Sequence, residues 1–135
     1  MKFDIKLIGY ITTFENFTRT TVKDCFFRDK ELIFIVDEGQ LGKALGKSGI
    51  NVKKLGVKMK RRLRIIMFDK DPVKFLKNLL YPLNGYEVIV EDLKLILKPS
   101  DNKVKGQIYG RERSNFNWIK SVLNRHFKNV ELVMG

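Results

Sequence analysis

The chain has 135 residues, 44% of them apolar, and a formal charge of +12 at neutral pH. This length suits one ordinary domain or two small ones, and a single cysteine, Cys25, excludes an internal disulfide. No apolar run is long enough to span a membrane and the first residues lack a signal-peptide pattern, so we expect a cytoplasmic protein. The excess of basic side chains favours a polyanionic partner.

The first predicted element is an amphipathic helix over residues 4–18, because apolar side chains recur there at intervals of three and four. These side chains are Ile5, Leu7, Ile8, Ile11, Phe14 and Phe17. We expect a hairpin to cover them, with strands over residues 21–27 and 31–37 and a polar turn at 28–30. Cys25, in the first strand, is expected to be buried or half-buried.

The next segment places a four-residue turn, Gly46-Lys47-Ser48-Gly49, between short apolar helical stretches at 39–45 and 50–58. Its glycines allow backbone conformations and close approaches that a side chain would prevent. Ile50 begins a helix whose N-terminus adds partial positive charge to the ammonium of Lys47. This turn, loop 1, therefore favours a phosphate ligand.

Loop 1 also resembles the end of a nucleotide-binding P-loop, which would imply a different function. That motif requires four residues between its first glycine and the Gly-Lys pair, whereas three separate Gly42 from Gly46. Residues 40–45 are moreover predicted as a helical turn and not as the end of a buried strand. Both observations argue against a P-loop.

The spacing instead matches the Gly-x-x-Gly turn of the KH domain, which clamps a short run of backbone nucleotides. The strand at 32–36, the two helices and a strand at 61–68 follow the KH order. Residues 21–27 and 32–39 resemble in particular the archaeal NusA-like transcription termination factors, and the resemblance covers roughly residues 5–134. It implies an α/β (α+β) fold of two tandem type II KH units, each a small three-stranded sheet covered by helices.

The expected boundary divides the chain into residues 1–70 and 71–135. Pro72, with Asp71 as a cap, is predicted to begin a helix that ends near Tyr81 and that can belong to the second unit. Strands are predicted at 86–91 and 93–97 with a tight connection at Asp92. A helical pattern over residues 116–127 and a last strand from 130 to 133 complete a repeat of the first unit.

The second unit departs from the motif in its turn, Gly110-Arg111-Glu112-Arg113 (loop 2), where Arg113 occupies the position of Gly49. A bulky side chain there would obstruct the close approach that loop 1 permits. Arg111 and Arg113 could still reach phosphates, so Gly110, Arg111 and Arg113 form either an auxiliary RNA contact or none.

The charge is concentrated in the first unit: residues 39–68 hold nine basic side chains and no acidic one. The predicted RNA-binding residues are Lys43, Gly46, Lys47, Ser48, Gly49, Ile50, Lys53 and Lys54. Ile50 and a neighbouring strand are expected to form an apolar groove for bases. The basic connection 58–62 either flanks that groove or is a solvated turn.

The resemblance implies binding of single-stranded RNA, the nascent transcript, in transcription termination or elongation control, with RNA polymerase as a possible protein partner. Single-stranded DNA stays open as a ligand. The alternative function is a KH-type adaptor that binds RNA polymerase or ribosomal components mainly through protein contacts. We expect no enzyme, cofactor, metal or small-molecule substrate, because His126 is the only histidine and no metal-ligand spacing occurs. Phe116 and Trp118 are expected to pack and not to stack on bases.

Overall fold

In the computed structural model, residues 5–135 are described, and the chain divides into two compact units. The first unit ends at Asp69 and the second begins at Lys70. The first contains α1 (Ile5–Thr18), β1 (Val22–Arg28), β2 (Glu31–Val36), α2 (Leu41–Leu45), a 3₁₀ turn (Lys47–Gly49), α3 (Ile50–Met59) and β3 (Arg62–Met67). The second contains α4 (Pro72–Leu80), β4 (Tyr86–Glu91), β5 (Lys94–Pro99), α5 (Asn102–Tyr109), a 3₁₀ turn (Arg111–Arg113), α6 (Ser114–His126) and β6 (Glu131–Met134).

The two units share one topology as well as one order of elements. In each three-stranded sheet the first two strands pair antiparallel and the third pairs parallel to the second. A parallel pair requires a crossover connection, and here the two helices and the 3₁₀ turn between them supply it. The predicted α+β fold of two helix-covered sheets is confirmed.

The core of the first unit lies between its sheet and its three helices. Leu32, Phe34 and Val36 alternate along β2 and are fully buried against this helical layer. Phe14 of α1 stacks on Phe34 with ring centroids 4.1 Å apart. Cys25 is buried in the same cluster, as predicted. Burial of each large apolar side chain contributes about 1.5–3 kcal/mol, so this cluster holds loop 1 on a well-packed base.

The predicted apolar face of the first helix is only partly correct. Phe14 is fully buried and Leu7, Tyr10 and Ile11 pack against the core, but Ile5 is 89% exposed and Ile8 is 50% exposed. At 3.6 residues per turn, Ile5 lies half a turn away from Phe14. Phe17 is also exposed. Asp4, predicted as the first helical residue, lies outside the described residues.

Two predicted element boundaries shift because of backbone conformation. The helix expected from residue 39 begins at Leu41, since Gly39 has a φ of +77° and Gln40 is not helical. The side-chain oxygen of Gln40 instead accepts a hydrogen bond from the N–H of Thr21 at 2.7 Å. In the second unit β5 begins at Lys94 and not at residue 93, because Asp92 takes a positive φ of 53° in the preceding turn.

Two helices of the second unit, α4 and α5, begin at side-chain caps. Asp71 accepts a hydrogen bond from the N–H of Val73 at 2.9 Å, and Pro72 occupies the first helical turn, which confirms the predicted start of α4. Asp101 caps α5 in the same way through the N–H of Val104. None of the helices between residues 5 and 135 is both long and apolar enough to cross a membrane.

Candidate nucleic-acid interface

Loop 1 is held in shape by the conformation of its first glycine. Gly46 has φ 73° and ψ 175°, a region of backbone space that is essentially open to glycine alone. A Cβ added at this position would lie 2.8 Å from Cγ and Nδ2 of Asn51, closer than real Cβ contacts come. Gly46 is therefore required by the backbone, and a Cβ there would also displace the Asn51 amide.

Asn51 is a site residue that the sequence interpretation missed. Its Nδ2 donates a hydrogen bond to the carbonyl oxygen of Lys43 at 3.2 Å, which ties the first turn of α3 to α2 across loop 1. The signal that could have revealed it is a repeated spacing, because an asparagine follows the first glycine by the same interval in both loops, as Asn51 and Asn115.

The remainder of loop 1 is a tight 3₁₀ turn with two residues in the left-handed region. Ser48 has a φ of 54° and Gly49 a φ of 70°. The N–H of Gly49 donates to the carbonyl oxygen of Gly46 at 3.1 Å, and the N–H of Ile50 donates to that of Lys47. Because these two amides are hydrogen-bonded within the turn, they are not available as donors to a ligand. Gly49 instead leaves space for a ligand, and Ile50 provides apolar surface.

The predicted site residues lie together around this turn. Lys47 and Ser48 are exposed at its tip, and Lys43, Lys53 and Lys54 are exposed on the flanking helices. Ile50 is 41% exposed beside them. A Cβ built at Gly49 meets nothing within 4 Å, which leaves its position open to an approaching ligand. Their contact with RNA stays a prediction.

The rest of the basic stretch lies elsewhere in the first unit. The connection 58–62 follows the far end of α3, nine residues along the helix from Ile50 and so about 14 Å away at 1.5 Å per residue. It does not flank loop 1. Arg62 and Arg64 belong to the sheet face opposite the helices, since they alternate with Leu63. Burial lowers the pKa of Arg64 from its ordinary value, and the charge of Glu31 opposes that change.

Loop 2 has the backbone of loop 1. Gly110 has φ 68° and ψ −178°, and Glu112 and Arg113 take the left-handed conformations of Ser48 and Gly49. The guanidinium of Arg113 lies over the ring of Tyr109, with Cζ 4.7 Å from the ring centroid. The predicted residues Gly110, Arg111 and Arg113 are thus brought into a loop of the same form.

The residues considered for other chemistry are packed or isolated. His126 contacts the ring of Phe75 edge-on at 5.6 Å, and Phe116 is buried against Tyr109. Across residues 5–135, the structure contains no group of three or more His, Cys, Asp or Glu side chains that could hold a metal ion.

Together, the crossover of two helices around a Gly-x-x-Gly turn on a three-stranded sheet defines a KH-domain protein. The family model of the KH domain matches residues 9–75, which include loop 1 and the whole sheet of the first unit.

Comparison with similar proteins identifies one family within this class. A protein of Methanocaldococcus jannaschii named probable transcription termination protein NusA is 32% identical over 96% of this chain and 70% of its own length. Its namesake from Methanococcus vannielii is 28% identical over 100% of this chain and 81% of its own length. The crystal structure of APE1850 superposes with a TM-score of 0.72 at 25% identity, covering 98% of this chain and 99% of that one. This chain belongs to the archaeal NusA-like family of transcription termination proteins.

Proposed function

We propose that this chain binds single-stranded RNA through loop 1 and its flanking helices, and that it acts on the nascent transcript in termination or elongation control. The observation that carries the proposal is the exposed site itself. Lys43, Lys47, Lys53 and Lys54 surround a glycine turn that leaves room for a phosphate, and no acidic residue occurs between residues 39 and 68.

The structure refines which groups would hold the strand. With the amides of Gly49 and Ile50 engaged in the turn, the phosphate contacts fall to the ammonium of Lys47 and the hydroxyl of Ser48. Lys53 and Lys54 add charge from the first turn of α3, where the helix N-terminus also favours an anion. The exposed side chain of Ile50 offers an apolar contact for a base.

The second unit is proposed to be a KH-type unit with an auxiliary role. Its order of elements and its loop backbone repeat the first unit, but loop 2 carries Glu112 at the position of Ser48. A carboxylate there repels a phosphate. Arg111 and Arg113 leave the turn a net charge of +1, equal to that of loop 1, but no lysine occupies the positions that correspond to Lys43, Lys53 and Lys54. Any RNA contact by loop 2 is therefore expected to be weak.

The role in transcription rests on family membership. Relatives are named probable transcription termination proteins, and an RNA-binding protein of this kind would meet its ligand where the transcript leaves RNA polymerase. A direct contact with the polymerase is a separate part of the proposal. It would be tested by pull-down of the polymerase before and after nuclease digestion.

The proposal is tested by replacing Lys47 and Ser48 together with Asp. Two negative charges would then occupy the phosphate position while Gly46 and the helix packing stay unchanged, and we expect a loss of about 100-fold in affinity, near 2.7 kcal/mol. The measurement is fluorescence anisotropy with a labelled single-stranded RNA, with single-stranded DNA of the same sequence as a second ligand. Thermal melting should match the parent protein.

The matched control changes Arg111 and Glu112, at the same backbone positions of loop 2, to Asp. It lowers the charge of an equally exposed turn by two, against three in the loop 1 variant, and we expect less than about a threefold change in affinity, under 0.7 kcal/mol. The proposal fails if the loop 1 variant melts like the parent and still binds RNA with the parent's affinity.

The adaptor function is supported by one observation in the second unit. Ile89, Ile96 and Val133 are paired neighbours across the three strands and form a partly exposed apolar row on the sheet face away from Leu95 and Leu97. Such a row suits a protein contact. A polymerase pull-down that survives both nuclease treatment and the Asp changes in loop 1 would favour the adaptor.

A further inference from the structure

Apart from loop 1, the first unit has a concave surface at the end of α3 remote from that loop. It is an open groove of about 420 Å³ between α1 and α3. Its lining residues are Lys6, Gly9, Tyr10, Thr13, Lys58 and Met59, two of which are lysines and none of which is acidic. We call it the α1–α3 groove.

An aromatic cluster with two basic side chains adjoins this groove. The ring of Phe27 is approached by Nζ of Lys6 at 5.7 Å and by Cζ of Arg61 at 5.0 Å, both measured to the ring centroid. Tyr10 meets the same ring edge-on at 6.0 Å. Cations held beside aromatic rings are the combination that single-stranded nucleic acids contact, through phosphates and through base stacking.

A continuous exposed stripe joins loop 1 to the α1–α3 groove along α3. Ile50, Lys54, Val57 and Lys58 follow helical spacing on one side of the helix, and all four are exposed, Val57 to 79%. From Ile50 to Lys58 the stripe is about 12 Å long at 1.5 Å per residue, and a stacked strand, which rises about 3.4 Å per nucleotide along its axis, covers that length in roughly four nucleotides. A strand held at loop 1 therefore reaches the groove without leaving the protein surface.

We infer that the α1–α3 groove is a second RNA-binding site, and that single-stranded RNA runs from loop 1 along α3 so that its phosphates meet Lys58 and Lys6. This inference rests on the proposed function of loop 1. The occupant is the flank of the same strand, since the groove and the stripe share the charge of loop 1 and continue its surface. The footprint of the first unit then extends to about eight nucleotides, four at loop 1 and four along α3.

The test compares RNA oligonucleotides of two lengths. The full chain should bind a 12-nucleotide single strand about tenfold more tightly than a 5-nucleotide one, after correction for the number of binding registers. Replacing Lys6 and Lys58 with Ala should abolish most of that gain and leave the affinity for the short strand unchanged. Both side chains are exposed, and Arg61 and Phe27 are retained.

The matched control is Lys74→Ala with Lys77→Ala, which removes two exposed lysines from α4 of the second unit. The control should keep the length-dependent gain. Photo-crosslinking gives a second measurement: a 12-nucleotide strand with 4-thiouridine at one end or the other should label a peptide containing Tyr10 or Lys58 from one of the two ends.

The outcomes separate the two proposals. If the parent binds both lengths equally, or if the Lys6 and Lys58 variant behaves like the control, the groove is not an RNA site, and loop 1 keeps its proposed function. If neither strand binds the parent, the function of loop 1 fails and this inference fails with it. A crosslink confined to loop 1 peptides from both ends would also overturn the groove assignment.

Discussion

Loops 1 and 2 share one backbone conformation but carry side chains of different chemistry. Gly46 and Gly110 differ by only 5° in φ, from 73° to 68°, and the following residues enter the left-handed region in the same order. Each loop is closed by an asparagine: Asn51 donates to the carbonyl of Lys43, and Asn115 donates to that of Ile108. The conformation therefore depends on one glycine and one asparagine per loop, and the remaining positions are free to differ.

At those remaining positions the two loops carry side chains of different charge and size. At an offset of 64 residues, the lysines at 43, 53 and 54 are replaced by Gln107, Asn117 and Trp118. Ser48 becomes Glu112, and Gly49 becomes Arg113. Loop 2 thus keeps the shape of loop 1 without the lysines that flank it, so a difference in RNA affinity between the two loops would show that the turn alone does not make the site.

Among single substitutions, the largest expected effect comes from copying Arg113 into loop 1 as Gly49→Arg. The backbone accepts Arg in this conformation in loop 2, but position 45 is Leu where loop 2 has Tyr109, so the new side chain lacks the ring that holds Arg113. It would extend over the loop and obstruct the strand. We expect a loss of about tenfold or more in RNA affinity, at least 1.4 kcal/mol, despite the added positive charge.

The reciprocal change, Arg113→Gly, serves as the control for Gly49→Arg. It removes a charge, relieves a left-handed residue and restores the Gly-x-x-Gly pattern in loop 2, so affinity should stay unchanged or rise modestly. Titration of both variants against one oligonucleotide at fixed salt measures the difference. If Gly49→Arg binds as tightly as the parent, the glycine turn is not the binding site and the basic surface alone must account for binding.

A smaller effect on binding is expected at the first glycine of loop 1, and the first glycine of loop 2 provides the comparison. Gly46→Ala and Gly110→Ala each force a Cβ into a glycine-only region and against the asparagine, at 2.8 Å from Cγ of Asn51 and 2.7 Å from Cβ of Asn115. Each should destabilise its unit by about 1–3 kcal/mol. Because Cβ of Asn115 is fixed to the backbone, whereas the Asn51 amide can rotate away, Gly110→Ala should cost the more stability.

These two variants separate stability from binding. Differential scanning calorimetry should show both losses, while only Gly46→Ala should lower RNA affinity, by about fivefold or about 1 kcal/mol. Equal losses of affinity in the two variants would mean that loop 2 takes an equal part in binding.

The sequence predicts the order of elements and both loops because these depend on local signals. Hydrophobic periodicity, the Asp71 cap and the paired glycines are all features of near neighbours along the chain. The exposure of Ile5 and Ile8 was missed, since an apolar residue is identified by composition while its burial depends on what packs against it. The role of Asn51 was missed because its hydrogen bond crosses eight residues to another helix.

The same limit applies to charge. The nine basic residues between positions 39 and 68 suggest a single surface. In the fold, however, Lys47 lies in loop 1, Lys58 at the remote end of α3 and Arg64 on the sheet face opposite the helices. Only the crossover geometry separates them, and no pattern in the linear sequence gives that geometry. A measurement of the phosphate contacts made at each of these positions is therefore more informative than the net charge.

The smallest expected effect of a substitution is on the dependence of RNA affinity on salt concentration. This dependence measures the number of phosphate contacts. For a single strand, the slope of log affinity against log salt is about −0.7 per neutralised phosphate, and three to five contacts predict a slope of about −2 to −3.5. Lys47→Ala should reduce its magnitude by about 0.7, whereas Arg111→Ala, at the same position of loop 2, should leave it unchanged. Affinity that is insensitive to salt would contradict the electrostatic account of both loops. Equal reductions of the slope in the two variants would instead show that loop 2 also contacts a phosphate. The shared backbone conformation would then be sufficient for a contact, and the lysines that flank loop 1 would only strengthen it.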